Sequence, residues 1–421
     1  MLNKCKKFKP KLFFKINNSA WKNYLFHDTF AILRNNSLSR DDLNYIEGDI
    51  KNIHYGDIHT KFKTLLDVTK ETIPYINADK LEKVKRNKLC EVGDVIFADA
   101  AEDYEGIGKS IEIIDLGNQK VMSGLHTIIA RRRFGIYTGF CGYLFQSWKL
   151  KKQIMFFSQG TKVLGLPKKY IEKINLDIPE IKEQEKITLF LSAVDKKIEL
   201  LTKKHELLEK YKKGLMQKIF SQEMRFKQDD GSDFPDWRKG KLGELVKFLK
   251  GKGVSKEDCV EKGKYECIRY GELFTTYGRY INEIKSYTNK KFNVLSENND
   301  VLMPTSDVTP NGLATASALR KSNVIIGGDI LVIRSKDLFN VFFAYYISAH
   351  KNEVMRFPCG STVFHIYAKD FSKFKVTIPY YEEQQKIASF LSAVDKKIDL
   401  AKQQIEKTQT FKKGLLQQMF V

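Results

Sequence analysis

Two short stretches of the sequence have the residue types of a phosphate-binding turn. Each places a glycine before a hydroxyl-bearing residue and then basic residues, in QGTKVLGLPKK (159–169) and CGSTVFHIYAKD (359–370). Such a turn can present backbone N–H groups to a phosphate while nearby lysines add positive charge. The alternative is an ordinary surface turn before the next strand. The residues that we expect to contact phosphates here are Lys162, Lys168, Lys169, Ser361, Thr362, His365 and Lys369.

Two further loops carry polar groups suited to the edges of nucleic-acid bases. Each follows a short apolar run and is rich in turn residues, as DAAEDYEGIGKS (99–110) and TSDVTPNGLATAS (305–317). Amino, amide and hydroxyl groups can read the pattern of donors and acceptors on base edges. The candidates in these loops are Lys109, Asn311 and Thr315.

A compact basic run offers a third candidate for phosphate contact. It consists of Arg131, Arg132 and Arg133, and Arg334 in the second half of the chain corresponds only to the first of them. Tyr55 and Tyr270, in two Y-G-[DE] motifs, are interpreted as structural residues rather than base contacts.

The motifs that carry catalysis or cofactor binding are missing. EGIGKS (105–110) ends like a phosphate-binding P-loop, but Asp103 stands where that motif needs its first glycine. There is no HExxH, no CxxC pair and no NPP[FY] segment, and no glycine-rich fingerprint follows a strand. The sequence therefore predicts no catalytic residue, no metal site and no cofactor bound by this chain.

The charge balance predicts an anionic partner. The 421 residues carry 72 Lys+Arg against 51 Asp+Glu, a net charge of +21, which favours a polyanion or an anionic membrane surface. The longest aromatic and apolar run, residues 134–145, is too short for a membrane-spanning helix and is expected to be buried. The basic N-terminus lacks the apolar segment of a secretory signal, and the six cysteines form no pair pattern. We therefore expect a cytoplasmic protein with free thiols.

A tandem repeat organises the whole chain. FLSAVDKKI occurs at 190–198 and again at 390–398, and 23 of 43 positions are identical between residues 178–220 and 378–420. Weaker matches precede it in the same order, for example IHYGDI (53–58) with IRYGEL (268–273). The repeat indicates a duplicated unit with two parts, a mixed α+β globular domain followed by a long helix.

The two helical segments have the apolar spacing of a coiled coil. Apolar residues recur at steps of four and three, which is the 3.5-residue period of a packing seam. We expect the two helices to pack antiparallel, with the globular domains at opposite ends and an internal pseudo-two-fold repeat. The predicted seam residues are Ile187, Leu191, Val194, Ile198, Ile387, Leu391, Val394 and Ile398.

These patterns divide the chain into six parts. The predicted parts are an N-terminal extension (1–20), a first recognition domain (21–177), a first spacer helix (178–220), a linker (221–236), a second recognition domain (237–377) and a second spacer helix (378–421).

The repeated helix motifs resemble the specificity subunit of type I restriction–modification systems. The pattern I-P-x-x-x-x-Q-x-K-I, then F-L-x-x-x-D-x-K-I, then K-K-G-L-x-Q-x-x-F appears twice. Ile178, Gln184 and Asp195 carry it in the first copy, and their second-copy counterparts lie 200 positions later. The resemblance extends over essentially the whole chain.

The resemblance implies a DNA-recognition subunit without chemistry of its own. Two target recognition domains would each read half of a split, asymmetric site on double-stranded DNA, and the helices would act as a spacer. The partners would be two methyltransferase subunits and two restriction subunits. S-adenosylmethionine, ATP and Mg would bind to those partners.

Two other classes of function compete with this interpretation. A stand-alone DNA methyltransferase or nuclease would need a cofactor or metal site, and a coiled-coil scaffold without sequence specificity would bind random and target DNA equally.

Overall fold

The chain forms two compact units. The computed structural model describes residues 21–420; the predicted N-terminal extension, residues 1–20, lies outside the described residues. The first unit runs up to Thr202 and includes the segment from Gln403, and the second unit spans Lys203–Lys402. Each unit thus contains one globular domain, the first half of one long helix and the second half of the other.

The first globular domain mixes short strands with short helices. Its strands are β1 (Lys22–Leu25), β2 (Phe30–Leu33), β3 (Leu43–Asn44), β4 (Ile50–Ile53), β5 (Leu65–Asp67), β6 (Tyr75–Ile76), β7 (Val95–Ala98), β8 (Ala100–Ala101), β9 (Ser110–Asp115), β10 (Lys120–Ser123), β11 (Thr127–Arg132), β12 (Leu164–Gly165) and β13 (Asn175–Ile178). Its helices are α1 (Phe26–Thr29), α2 (Tyr55–Thr60), α3 (Leu81–Val84), α4 (Phe140–Leu144), α5 (Trp148–Phe157) and α6 (Lys168–Ile171), followed by the long helix α7 (Ile181–Phe220).

The second globular domain repeats this order of elements. Its strands are β14 (Arg238–Lys241), β15 (Lys247–Lys250), β16 (Cys259–Val260), β17 (Tyr265–Ile268), β18 (Tyr280–Ile281), β19 (Ser286–Thr288), β20 (Val301–Pro304), β21 (Ser306–Asp307), β22 (Ser317–Leu319), β23 (Ile325–Ile326), β24 (Ile330–Arg334), β25 (Phe364–His365) and β26 (Lys375–Ile378). Its helices are α8 (Leu242–Leu245), α9 (Glu272–Thr275), α10 (Pro310–Leu313), α11 (Asn340–Ala349), α12 (Lys351–Val354) and α13 (Ala368–Phe371), followed by the long helix α14 (Tyr381–Met419).

The sheets of the two domains have the same topology. The five-stranded sheets have the order β2-β11-β7-β9-β5 in the first domain and β15-β24-β20-β22-β18 in the second. The four-stranded sheets, β10-β4-β6-β3 and β23-β17-β19-β16, each contain one parallel pair at corresponding places. The predicted α+β class and the internal repeat are therefore confirmed.

The central strands explain why the domains hold together. β7 has the sequence VIFA and is buried along its whole length, with Val95 and Phe97 in one apolar core and Ile96 and Ala98 in another. β20 distributes its side chains between two cores in the same way. Because successive side chains of a strand point to opposite faces, a continuous apolar run is what a sheet covered on both faces requires.

The long helices pack antiparallel along the predicted seam. In the first unit Ile187, Leu191 and Val194 share an apolar core with Leu415 and Met419. In the second unit the corresponding core joins the other halves of the helices, and its seam members are Leu215, Ile219, Ile387, Leu391, Val394 and Ile398. Ile198 is half-buried and packs against the core of the first unit.

An ion pair repeats between the two helices and fixes their register. In the first unit Asp195 Oδ1 lies 2.7 Å from Lys412 Nζ, and in the second Asp395 Oδ1 lies 2.5 Å from Lys212 Nζ. Each Asp also accepts a hydrogen bond from a tyrosine of its globular domain. Both partners come from repeated motifs, since the Asp belongs to FLSAVDKKI and the Lys to KKGL. The duplicated motifs are thus each other's packing partners.

The repeated glutamine after Ile-Pro secures the start of each long helix. Gln184 Nε2 donates to the carbonyl oxygen of Pro179, and its Oε1 accepts the backbone N–H of Tyr137. Gln384 makes the equivalent bonds to Pro379 and Phe339. The glutamine therefore ties the helix start to the globular domain in both copies.

The glycine inside each long helix is not required by packing. An added Cβ at Gly214 or Gly414 would meet no atom within 4 Å outside the local helix backbone. Because glycine costs about 0.5–1 kcal/mol relative to alanine in a helix interior, Gly214→Ala and Gly414→Ala should each stabilise their unit by about that amount. Guanidinium unfolding of both variants measures this. A loss of stability would show instead that another part of the molecule packs too closely on the glycine to leave room for a Cβ.

Candidate DNA interface

In both domains the two kinds of predicted loop lie side by side. β8 pairs with β12 in the first domain, and β21 pairs with β25 in the second, each as a short antiparallel ribbon. The ribbon joins the loop that is predicted to carry base-reading groups to the turn that is predicted to bind phosphate. We call residues 99–110 with 159–169 the first loop cluster, and residues 305–317 with 359–370 the second loop cluster.

The glycine of each turn is required by the backbone. Gly160 and Gly360 have φ angles of 125° and 132°, a region that other residues avoid. A Cβ at either position would lie 2.1 Å from the carbonyl oxygen of Val163 or Val363. The two glycines therefore shape a tight turn, and their repetition reflects this geometry in both copies.

The first turn carries three of the lysines that are predicted to contact phosphates. Lys162, Lys168 and Lys169 are all exposed. Lys168 Nζ lies 3.3 Å from Asn35 Oδ1, and Lys169 Nζ lies 4.9 Å from the ring centroid of Tyr170. The charge of Lys168 also acts on the carboxylate of Asp99, where it opposes the rise in pKa caused by burial.

A cavity of about 690 Å³ opens beside the first loop cluster. Its lining includes Tyr55, Glu102, His126 and Val163, with Lys109 among them. Lys109 Nζ donates to the carbonyl oxygen of His59 at 2.7 Å, and burial lowers the pKa of this lysine. Lys109 therefore lines the cavity of the first loop cluster and uses one hydrogen bond to anchor α2 to the loop.

Lys151 supports the same loop and has no motif of its own. Its Nζ donates to the carbonyl oxygens of Glu105 and Ile107, at 2.8 and 2.6 Å. Burial lowers the pKa of Lys151 to about 8, so the group is mostly protonated at neutral pH. The only signal for it in the sequence is the alignment of Lys151 with Lys351 in the repeat.

The second loop cluster presents polar groups of a different kind. Asn311, Ser361, Thr362 and Lys369 are all exposed at its surface, and Thr315 is half-buried. The sixth candidate, His365, lies in β25 and is half-buried, and its ring stacks on that of Tyr367 with centroids 6.2 Å apart. Hydroxyl, amide and imidazole groups thus lie together on one ribbon and its loops.

Arg131, the first residue of the basic run, forms ion pairs within the first domain. Its guanidinium forms two hydrogen bonds to Asp94, at 2.9 and 2.8 Å, and also contacts Glu91. Arg334 forms the same pair of bonds to Asp300 in the second domain. Because the aspartate is almost fully buried in both copies, this ion pair holds the strand and its preceding turn together.

The two following arginines are also tied to the backbone of their own domain. Arg132 donates to the carbonyl oxygen of Ile136 and to Thr138 Oγ1, and Arg133 Nε donates to the carbonyl oxygens of His27 and Phe30. All three arginines of the basic run are thus engaged within their own domain, and their contact with phosphates stays a prediction. The run marks the end of β11.

The described residues hold no group of side chains that could bind a metal ion. Between Trp21 and Phe420 no three His, Cys, Asp or Glu side chains are grouped in a way that could hold a metal ion. None of the helices in that range is long and apolar enough to cross a membrane. Five cysteines of that range are free, and three of them are buried.

The sequence matches one protein family in both halves. Residues 21–210 and 235–409 each match the family described as the type I restriction modification DNA specificity domain. Each match spans one globular domain and most of the long helix that follows it.

Proteins similar to this chain are named as specificity subunits of type I restriction systems. The type I restriction enzyme MjaVIII specificity subunit of Methanocaldococcus jannaschii is 26% identical over 292 residues, which covers 65% of this chain and 68% of the relative. A protein of the same organism, provisionally named the type I restriction enzyme MjaX specificity subunit, is 24% identical over 411 residues, covering 94% and 92%. The crystal structure of the S subunit of a type I restriction-modification system from M. genitalium shares the fold, with a TM-score of 0.57, 15% identity and coverage of 98% and 99%.

Proposed function

Since this chain belongs to the family of type I restriction modification DNA specificity domains, we propose that each of its globular domains reads one half of a bipartite, asymmetric DNA site. It is the specificity subunit of a type I restriction–modification system and carries no catalytic site of its own. The observation that carries the proposal is that the family matches twice, once over each domain, and that each domain repeats the same loop cluster.

The two loop clusters support an asymmetric site. The first cluster holds four lysines and four carboxylates, whereas the second holds one lysine and two carboxylates together with an imidazole, an amide and several hydroxyl groups. Since direct readout depends on matching donors, acceptors and apolar groups to base edges, two clusters of different chemistry should select different bases. The long helices, which are similar in both copies, carry no such difference.

The proposal includes partner subunits. As a specificity subunit the chain works with DNA and with the methyltransferase and restriction subunits of its complex. We propose two copies of each, in keeping with the two similar halves of this chain, and a cytoplasmic site of action. S-adenosylmethionine, ATP and Mg are assigned to the partner subunits.

The experiment that tests the proposal exchanges one domain. Residues 21–177 are replaced by the matching domain of another specificity subunit, and adenine methylation is mapped across the genome of cells that contain the assembled complex. We expect one half of the methylated motif to change and the other half to stay. A change in both halves, or methylation by the purified chain alone, would contradict the proposal.

Lysines of the first turn should contribute to affinity without contributing to specificity. Lys162→Ala should weaken binding of the complex to all DNA sequences alike, and should reduce the slope of log K against log salt by about 1 for each phosphate that is no longer neutralised. Binding titrations over a salt series measure the slope. Lys197→Ala is the matched control, because Lys197 is an exposed lysine of the long helix and lies outside both loop clusters.

A further inference from the structure

The two ribbons end in equivalent positions that hold different residues. In the first domain the last pair of the ribbon is Ala101 with Leu164, and in the second domain it is Asp307 with Phe364. One position beyond these pairs, the chain has Glu102 and Val163 in the first domain, and Val308 and Val363 in the second. The valine of the turn is thus the same in both copies, whereas the residue that follows the other strand changes from Glu102 to Val308.

The second ribbon presents its valines to solvent. Val308 is 70% exposed and Val363 is 40% exposed, which is unusual for large apolar side chains next to each other. Phe274 is also exposed and lies close to this loop, because a Cβ on Gly312 would be 3.1 Å from its ring. This end of the second ribbon is therefore an apolar surface within the loop cluster.

The position of Val308 is held by its neighbours. Asp307 Oδ1 accepts the backbone N–H of Val308 at 2.7 Å, and Asp307 Oδ2 accepts the hydroxyl of Thr309 at 3.0 Å. Gly312 leaves room for this carboxylate, since a Cβ there would lie 1.6 Å from Asp307 Oδ2. A side chain held in this way can discriminate between ligands, because little conformational freedom is lost on contact.

The first ribbon presents a carboxylate at the equivalent place. Glu102 is exposed and lines the cavity of the first loop cluster together with Val163 and Lys109. The carboxylate of the next residue, Asp103, accepts the backbone N–H of Gly106 at 2.6 Å and so holds the loop. Among the described residues Glu102 forms no ion pair, so its oxygens are available as hydrogen-bond acceptors.

These two residue types read different bases. The DNA major groove admits a two-stranded ribbon; there a carboxylate accepts a hydrogen bond from the N4 amino group of cytosine, and an apolar side chain contacts the C5 methyl group of thymine. We propose that Glu102 and Val308 are specificity-determining residues, with Glu102 selecting a cytosine in one half of the site and Val308 selecting a thymine in the other. This inference rests on the proposed function, because it assumes that each domain reads one half.

The test exchanges the two residues within the assembled complex. Glu102→Val and Val308→Glu variants are expressed with the partner subunits, and the methylated motif is mapped in cells and by selection from randomised DNA. Val308→Glu should replace thymine by cytosine as the preferred base at one position of one half-site, with a change in selectivity of about 5- to 100-fold. Glu102→Val should produce the reverse change at one position of the other half-site.

Controls separate this inference from the proposed function. Val308→Thr keeps a methyl group at the ribbon end and should keep the preference for thymine. An unchanged motif with Val308→Glu, or an equal loss of affinity for every sequence, would overturn the inference while leaving the proposed function intact. A wild-type complex without a bipartite motif would instead overturn the proposed function. Val308 is exposed, so thermal unfolding of its variants should match the wild type.

Discussion

Asp395→Asn should destabilise the second unit by about 3–5 kcal/mol, the usual cost of removing one partner from a buried ion pair. The carboxylate of Asp395 is only 14% exposed, and two cations share it. Lys212 Nζ lies 2.5 Å from Oδ1, and Arg279 Nη1 donates to Oδ2 at 3.0 Å. Tyr345 adds a hydrogen bond to Oδ2 at 2.6 Å. Asparagine would leave both cations half-buried without a neutralising charge.

The first copy provides the control for this prediction. Asp195 has one cationic partner, Lys412, and a hydrogen bond from Tyr143, and its carboxylate is 36% exposed. Asp195→Asn should therefore cost the first unit only about 1–2 kcal/mol, since water can replace part of the lost interaction. Hydrogen exchange across a guanidinium series resolves the two units in one experiment. Equal losses in the two units would contradict the proposed importance of Arg279.

These ion pairs explain why the helix motifs are duplicated. Each Asp of FLSAVDKKI needs a Lys of KKGL from the opposite helix, so the two motifs must be retained together in both copies. From the helical spacing alone, Asp195 is expected on the flank of the seam, where a partner subunit could dock. The structure instead places it inside its own unit, between a long helix and the globular domain.

The architecture could be predicted from the sequence because its signals are periodic and repeated. The seam from Ile187 to Ile198 follows a spacing that only a helix packed on another helix requires, and its second copy removes chance as an explanation. The compact units were not predicted, since each divides a long helix near its middle. A boundary of that kind depends on which half-helix packs with which domain. These contacts join segments that are far apart in the chain, so local sequence patterns do not indicate them.

The interface could be predicted only in part. Both loops of each cluster were found from their composition, but nothing in the sequence indicated that a ribbon joins them, because Ala100 and Leu164 are far apart in the chain. The basic run predicts phosphate contact for Arg131, but it does not indicate the ion pair with Asp94, which lies 37 residues earlier. A basic run shows its role only when the carboxylates that face it are known.

Each long helix has a glutamate near its start, and the same mutation of this residue should change the stability of the two units differently. Glu383 is fully buried and accepts hydrogen bonds from Arg225 Nε at 2.8 Å and Nη2 at 2.9 Å, and from Trp237 Nε1 at 3.2 Å. Glu183 is its counterpart in the first unit and is 7% exposed, but its Oε1 has no hydrogen-bond partner among the described residues. Burial raises the pKa of Glu183, which a hydrogen bond from Trp21 partly offsets.

Glu383→Gln should destabilise the second unit by about 3–5 kcal/mol, because Arg225 loses the carboxylate to which its Nε and Nη2 atoms donate hydrogen bonds. Glu183→Gln should leave the first unit equally stable or up to about 1 kcal/mol more stable at pH 7, since it replaces a buried carboxyl group whose Oε1 has no hydrogen-bond partner among the described residues. Hydrogen exchange in denaturant measures both units, and a large loss in the first unit would show that Glu183 has a cationic partner.

The pH dependence of Glu183 provides a second measurement with a defined sign. Because its pKa is raised in the folded chain, the protonated side chain stabilises the first unit fully below the unfolded pKa, whose ordinary value is 4.5. This contribution is lost as the pH rises through the raised value. The difference in stability between wild type and Glu183→Gln should therefore shift in favour of the variant as the pH rises from below 4.5 through the raised pKa, measured by guanidinium unfolding at each pH. A difference that stays constant over this range would mean that the pKa of Glu183 is the same in the folded and unfolded chain.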